Sequence, residues 1–392
     1  MKFKNIRYLL IFFLFILVYT KSYSALNIDQ EYELNEFINK LVDDLNITGI
    51  SVVITENGSP IYENNTGYKL LPTEETEGIY LKKDDLFTVA SISKTFIATV
   101  IMKLEEEELL NIEDNVENYL PFPIRNPNFP DKLITIEMLL THTSSLQDVN
   151  SSYSIHSIIP GDKEYSENIY LKGVPGEIYK YCNLNYNLLG AIIESVTKTR
   201  FDKVVDFYII NPMNLNATFN YFDIDKEKFV NQYVYSNNLK QYIIQDEYYN
   251  NLNNPNNTFY TLSLSTTSSM KPSGSLIISA NDLAKYLNLH LNNGEYENIK
   301  IITKEDEERM RKNYVGKFNY GYSFRQYQNL YPNRILYGQT GGGKGIRSAM
   351  IFDPIGNLGF VILTSGSKSK FIDGYEDIHK PIIKEFYSIY NK

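Results

Sequence analysis

The 392-residue sequence has a single cysteine, Cys182, and no tryptophan. One thiol excludes a disulfide within the chain and any cysteine-rich metal site. Histidine is scarce as well. His142, His156, His290 and His379 are scattered without metal-ligand spacing. A metalloenzyme is not expected, and neither a metal nor an organic cofactor is expected. Positive charge is in deficit: 38 Lys and Arg stand against 47 Asp and Glu, a net −9. That argues against a nucleic-acid partner, which needs clustered basic residues. Internal repeats and low-complexity linkers are missing too. What remains is 43% hydrophobic and 22% charged, the balance of a globular chain able to bury a large core.

The N-terminus carries one continuous apolar run. Lys2, Lys4 and Arg7 precede Tyr8 to Tyr19, and Ser22-Tyr23-Ser24 then places small residues at alternating positions. A basic head, an apolar stretch and a small-residue end read as a cleaved signal peptide over 1–24, leaving one domain over 25–392. The run is short for a membrane span, which takes about 20 residues. The expected placement is secreted or periplasmic. A membrane anchor follows only if the segment stays uncleaved.

Periodicity supplies the fold class. Leu34, Phe37, Ile38, Leu41, Val42 and Leu45 have helical spacing. Gly49 to Thr55 reads as a buried strand, and a turn at Glu56-Asn57-Gly58-Ser59 starts its return. Further helices are expected from Ser91 to about Leu110, over Asp114–Pro121, within Thr135–Leu146 (a helix leading into a polar turn), and over Tyr186–Val196, Leu283–Leu291 and Ile378–Tyr390. Three strands are expected at Arg334–Gly341, Arg347–Phe352 and Leu358–Thr364, and loops over 220–270. The class is α/β, more closely α+β: an antiparallel sheet flanked by helices. Its sheet part comes from 27–100 and 275–392, with a mostly helical subdomain, 101–274, inserted between them.

The stretch Leu86-Phe87-Thr88-Val89-Ala90-Ser91-Ile92-Ser93-Lys94 carries the chemistry. Three positions separate Ser91 from Lys94, so a helix puts both on one face. A serine hydroxyl needs a base beside it to become a nucleophile. Lysine can be that base when neutral, and burial lowers its pKa. Phe87, Val89, Ile92, Phe96 and Ile97 offer the apolar surroundings. The same spelling recurs at Ser195/Lys198, Ser268/Lys271, Ser365/Lys368 and Ser367/Lys370. Only Ser91 opens a long apolar helix and is followed by partner motifs.

Those partners are Tyr181-Cys182-Asn183 and Gln339-Thr340-Gly341. With Phe87-x-x-x-Ser91-x-x-Lys94 they resemble the serine β-lactamase and penicillin-binding-protein family, in particular its class C branch of β-lactamase-related esterases, D-stereospecific peptidases and carboxypeptidases. The resemblance extends over roughly residues 30–390 and includes Ile134–Leu146, Pro175-Gly176 and Pro272–Leu276. It implies a β-lactamase/transpeptidase-like fold and a serine hydrolase. Ser91 would be the nucleophile of an acyl-enzyme and Lys94 its proton partner. Tyr181 would move the proton, as base or as activator of water. Asn183 would bond Lys94 or the substrate amide. Gln339, Thr340 and Gly341 would line the substrate strand, and the N–H groups of Ser91 and Gly342 would form the oxyanion hole.

Two departures from the family wording matter. Cys182 stands where serine is common, and it is expected to pack. Gln339 stands where Lys or His is usual, and an amide brings no charge. The implied partner is therefore a small-molecule or peptide substrate, an ester or an uncharged amide, unless Lys344 or Arg347 supplies the missing charge. Gln339 also supports a rival reading, a catalytically silent binding protein on the same fold that recognises peptidoglycan or a peptide. Tyr-x-Asn recurs at Tyr62/Asn64, Tyr235/Asn237 and Tyr331/Asn333. Tyr181 is preferred because it sits between a Pro-Gly turn and an apolar helix. The Gly338 to Gly345 run lacks the Ser or Thr of a phosphate-binding loop after Lys344. His142 is expected to pack, and Glu105 to Glu108 to form a solvated helix face.

Overall fold

The computed structural model describes residues 26–149, 154–245, 272–369 and 375–391. The expected signal peptide 1–24, the Ser268/Lys271 pair and the 246–271 part of the loop-rich stretch lie outside the described residues. No helix among the described residues is long and apolar enough to cross a membrane.

Asn27 opens the first helix, α1 (Ile28–Asp44), with a closed capping box. Its side chain accepts from the N–H groups of Asp29 and Gln30, and the Gln30 side chain accepts from the Asn27 N–H. The hairpin β1 (Gly49–Glu56) and β2 (Ser59–Leu70) turns at Asn57-Gly58, both at positive φ, as an Asn-Gly connection requires. Short strands β3 (Ile79–Tyr80) and β4 (Phe87–Thr88) lead into the single turn Ala90–Ile92 and helix α2 (Ser93–Glu106). The middle of the chain holds α3 (Ile136–Leu140), α4 (Asn183–Thr197), α5 (Phe201–Val205), β5 (Ala217–Thr218) and the hairpin β6 (Tyr233–Ser236) and β7 (Gln241–Ile244). Then come β8 (Ile277–Ile278), α6 (Ala280–Leu291), β9 (Glu295–Tyr296), β10 (Ile299–Lys300) and α7 (Lys304–Arg311). Strands β11 (Arg325–Tyr327), β12 (Leu336–Gly343), β13 (Ile346–Asp353) and β14 (Leu358–Gly366) precede the last helix, α8 (Lys380–Tyr390).

The main sheet has seven strands in the order β11-β12-β13-β14-β1-β2-β3. Every described pairing in it is antiparallel, and β14 pairs with β1 to join the two ends of the chain. Alternate residues serve opposite faces. Val53, Met350, Phe352, Val361 and Leu363 pack on one side with α2, α4 and α6. Ile50, Val52, Ile54, Ala349, Ile351, Phe360 and Ile362 pack on the other with α1 and α8. Burial on both faces explains why these strands read as continuous apolar runs. A second, three-stranded sheet, β4-β8-β5, anchors the segment that leads into Ser91.

The structure departs from the sequence reading in places: the stretch expected as loops from residue 220 holds the hairpin β6–β7. The helix expected from Thr135 ends at Leu140, where the expected polar turn begins. There the Thr141 hydroxyl donates back to the Glu137 carbonyl at 2.8 Å, and His142 and Ser145 take φ of +58° and +65°. Short polar side chains compete with the helix ladder in this way. Asp114–Pro121 holds one short turn, Val116–Asn118. The acidic run is not a purely solvated face: Glu105 pairs with Arg309 of α7 at 2.8 Å, and Glu107 accepts from the Tyr208 hydroxyl.

Candidate active site

The backbone is strained just before Ser91. Ala90 adopts a φ of +47°, a left-handed conformation that a residue with a Cβ rarely takes. Neighbours hold it there. The Ser348 hydroxyl of β13 donates to the Val89 carbonyl at 2.8 Å, and the Val89 N–H donates to the Leu276 carbonyl at 3.0 Å. Strain fixed by its surroundings is concentrated at functional sites. The Ser93 hydroxyl donates to the Ala90 carbonyl at 2.6 Å and accepts from the Leu276 N–H at 3.0 Å, closing the turn. α2 then runs through the core, with Ser93 to Met102 all buried. The expected helix over Ser91–Leu110 is therefore a short turn joined to a slightly shorter helix.

Lys94 is fully buried on the first turn of α2. Its Nζ donates to three acceptors: Ser91 Oγ at 3.0 Å, Asn183 Oδ1 at 2.8 Å and the Ser273 carbonyl at 2.6 Å. Burial pulls the amine down from an ordinary 10.5 to about 7, against the opposing charge of Asp148. Near neutrality a substantial fraction is therefore unprotonated. The rings of Tyr181 and Tyr186 flank the nitrogen, with centroids 5.1 Å and 5.7 Å away.

The Tyr181 hydroxyl neighbours that of Ser91. Burial raises its pKa above the ordinary tyrosine value, while Ser91 and the Arg325 charge pull the other way. The resting side chain is a neutral phenol. Beneath it lies His142, with a ring centroid 4.3 Å away. His142 Nδ1 accepts from the Cys182 N–H at 3.2 Å, and burial, chiefly, holds its pKa well below the usual range. It packs as a neutral ring. Cys182 is buried as expected, its thiol directed at Asp148 Oδ1, 3.4 Å away.

Strand β12 lies against the Ser91 turn. A Cβ on Gly341 would stand 2.2 Å from the Val89 carbonyl oxygen and 2.3 Å from Ser348 Oγ. Only glycine permits that approach. β11 pairs with β12 no further than Gly338, leaving Gln339 to Gly343 beyond its reach. Gln339 is buried, and its Nε2 donates to the Tyr320 hydroxyl at 3.2 Å. Thr340 and Gly342 are partly exposed. The Arg347 guanidinium donates to the Gly343 and Ile346 carbonyls at 2.8 and 2.7 Å, so it is engaged by the β12–β13 turn. The phosphate-loop spelling is this strand and turn.

The structure thus gathers Ser91, Lys94, Tyr181 and Asn183, with β12 beside them. It does not bring Tyr235 to Lys94. The Tyr235 ring faces Tyr242 and lies under the Lys368 ammonium at 4.0 Å. Two contributors escaped the sequence. Ser273 acts through its carbonyl, which side-chain spelling does not reveal. Asp148 accepts from the N–H groups of Asn183 (2.9 Å) and Leu184 (3.0 Å) and from Asn183 Nδ2 (2.9 Å). The available signal for it was the Cys182 N-cap of α4, which has no capping side chain of its own.

With that geometry in view, comparison with known proteins decides the family. A family model described as Beta-lactamase matches residues 34–380. The chain belongs to the beta-lactamase family. Protein flp of Staphylococcus aureus is 28% identical to this family member over 201 residues, covering 48% of this chain and 38% of flp. Penicillin-binding protein 4* of Bacillus subtilis is 32% identical over 209 residues, 50% of this chain and 44% of the relative. The match thus spans less than half the length of these curated relatives. In fold, this beta-lactamase family chain is similar to D-amino acid amidase of Ochrobactrum anthropi SV3, with a TM-score of 0.69, 17% identity and coverage of 93% of this chain and 98% of the amidase.

Proposed function

We propose that the chain is a serine hydrolase that acylates Ser91 with an ester or amide substrate and then hydrolyses the acyl-enzyme. The observation that carries this is the buried Lys94 amine, 3.0 Å from Ser91 Oγ and pulled down to about 7. A neutral amine at that distance can take the serine proton as the oxygen attacks. Asn183 and the Ser273 carbonyl orient the amine. Tyr181 is raised, not lowered, so it acts as a neutral phenol that relays a proton between Ser91, Lys94 and the leaving group. The backbone N–H groups of Ser91 and Gly342 serve as oxyanion donors, each worth on the order of 100-fold in rate.

Gln339 bonded to Tyr320 and Arg347 bonded to its own turn support a substrate without a carboxylate at this strand. That favours esters and uncharged amides. The likeness to an amidase is one of fold, and it places simple amides in the substrate panel. Incubation with a fluorophosphonate, followed by intact-mass and peptide mass spectrometry, should place one adduct on Ser91. An unmodified Ser91, with peptide binding retained, would favour the silent binding protein instead.

The basic head and apolar run of the N-terminus support export with removal of 1–24. Sequencing of the mature protein should begin near residue 25. A start upstream of residue 20 would mean the segment is retained.

A further inference from the structure

We infer that Asp148 is a positioning residue for this site: it decides which way the Asn183 amide faces and so completes the polar cage around the Lys94 amine. The inference rests on the catalytic reading of Ser91 and Lys94. Its support is the pattern of donors and acceptors. A carboxylate only accepts hydrogen bonds, and with its lone pair turned to Ser91 the neutral Lys94 amine offers Asn183 and Ser273 only N–H donors. Asn183 stands between the two, with Nδ2 2.9 Å from Asp148 Oδ2 and Oδ1 2.8 Å from Lys94 Nζ. Flipping the amide would set its NH2 against the Lys94 donors and its oxygen against the carboxylate. Both contacts would then be repulsive. Asp148 therefore fixes the one orientation in which Asn183 accepts from Lys94.

The same carboxylate holds the backbone that carries Asn183. α4 begins at Asn183 behind a cysteine that caps nothing. The exposed N–H groups of a helix start need acceptors, and the helix dipole favours a negative one. Asp148 provides both oxygens to them from 35 residues earlier in the chain: Oδ2 to Asn183 and Oδ1 to Leu184. Nearby, Ser144 ties the same loop to α4 by donating to Asn185 Oδ1 at 2.8 Å. Helix start, loop and amide thus move as one piece.

Charge adds a readout that a helix cap alone would not give. Asp148 raises the proton affinity of Lys94 against its burial. The other groups facing this amine are Tyr181, Tyr186, Cys182 and His142. Removing the Asp148 charge should lower the Lys94 pKa further.

The test uses the full chain and a p-nitrophenyl ester, with kcat and KM followed between about pH 5 and 9 and melting temperature measured alongside. Asp148→Asn keeps the shape but turns one acceptor into a donor. Its kcat should fall by roughly 100-fold, the cost of a misplaced catalytic group, with KM little changed. The acid limb of kcat/KM should move to lower pH. Asp148→Glu keeps the charge but not the reach, so kcat should fall while the limb stays in place. It also stands in if Asp148→Asn does not fold. A limb that does not move in Asp148→Asn, with kcat within about twofold of the parent, reduces Asp148 to a helix cap and overturns the inference, whatever the melting temperature does. So does an Asp148→Glu chain with parental kcat. Ser91→Ala, run in parallel, separates the two levels. If it hydrolyses the ester as fast as the parent, the catalytic reading itself has failed.

Discussion

Ester turnover should drop by as much as roughly 10⁶-fold in Ser91→Ala and in Lys94→Met, and no further in the double variant. The two side chains share one hydrogen bond and one proton. Without the amine, the serine oxygen stays a weak nucleophile. Without the oxygen, the amine has nothing to deprotonate. Groups that act as a unit lose their whole effect with the first removal, so the losses should not add. A double variant much slower than either single one would show that Lys94 works on something other than Ser91. The pH profile carries the same claim. Lys94 must be neutral to accept a proton, and its pKa is about 7. In the parent chain kcat/KM should rise through neutrality and flatten above it, falling about tenfold per unit on the acid side.

Lys94 should also mark the pH dependence of stability. Its folded pKa lies below its unfolded one, so between about pH 7 and 10 the unfolded chain binds a proton that the folded chain does not. Stability should therefore rise with pH through that window. Below it, folding must carry a charged, buried amine, and the penalty is complete. Melting curves of the parent taken between about pH 6.5 and 9 should show the rise, and Lys94→Met should flatten it. The amine thus weakens the fold at the pH where it begins to work, as expected of a group retained for chemistry rather than packing.

Most of the site was legible because its chemistry needs particular side chains at particular spacings. Ser91 and Lys94 lie one helical turn apart, at the start of a helix apolar enough to bury the lysine. Tyr181 was separable from Tyr235 because a buried helix followed it. Asp148 was not legible. It sits in a polar run, and its partners lie 34 to 36 residues further on. Spacing carries no information across such a gap. The strain at Ala90 was equally hidden, because it is imposed by Ser348 and Leu276 from other parts of the chain. The sheet was readable from its continuous apolar runs. The helix end at Leu140 was readable as well, because the hydroxyl-rich run after it competes for backbone partners.

Gly341→Ala should be as damaging to turnover as the loss of an oxyanion donor, roughly 100-fold or more, although it removes no functional group. The added Cβ would fall 2.2 Å from the Val89 carbonyl and 3.2 Å from Ala90 Cβ, and neither is the flexible end of a side chain. Relief requires β12 to move away from the Ser91 turn, which separates Gly342 from Ser91. Overpacking of this kind costs about 1–3 kcal/mol, so the melting temperature should fall as well. Deleting Ser348 Oγ in the same chain should not rescue activity, because the backbone contact remains and the Val89 carbonyl loses a donor. Gly343→Ala gives the contrast. Two residues along the same strand, its Cβ would meet nothing nearer than Ile346 Cδ1 at 3.4 Å, an ordinary contact. Steady-state kinetics on the pair decide the matter. If Gly341→Ala and Gly343→Ala turn over alike, the close approach of β12 to the serine turn has no part in catalysis.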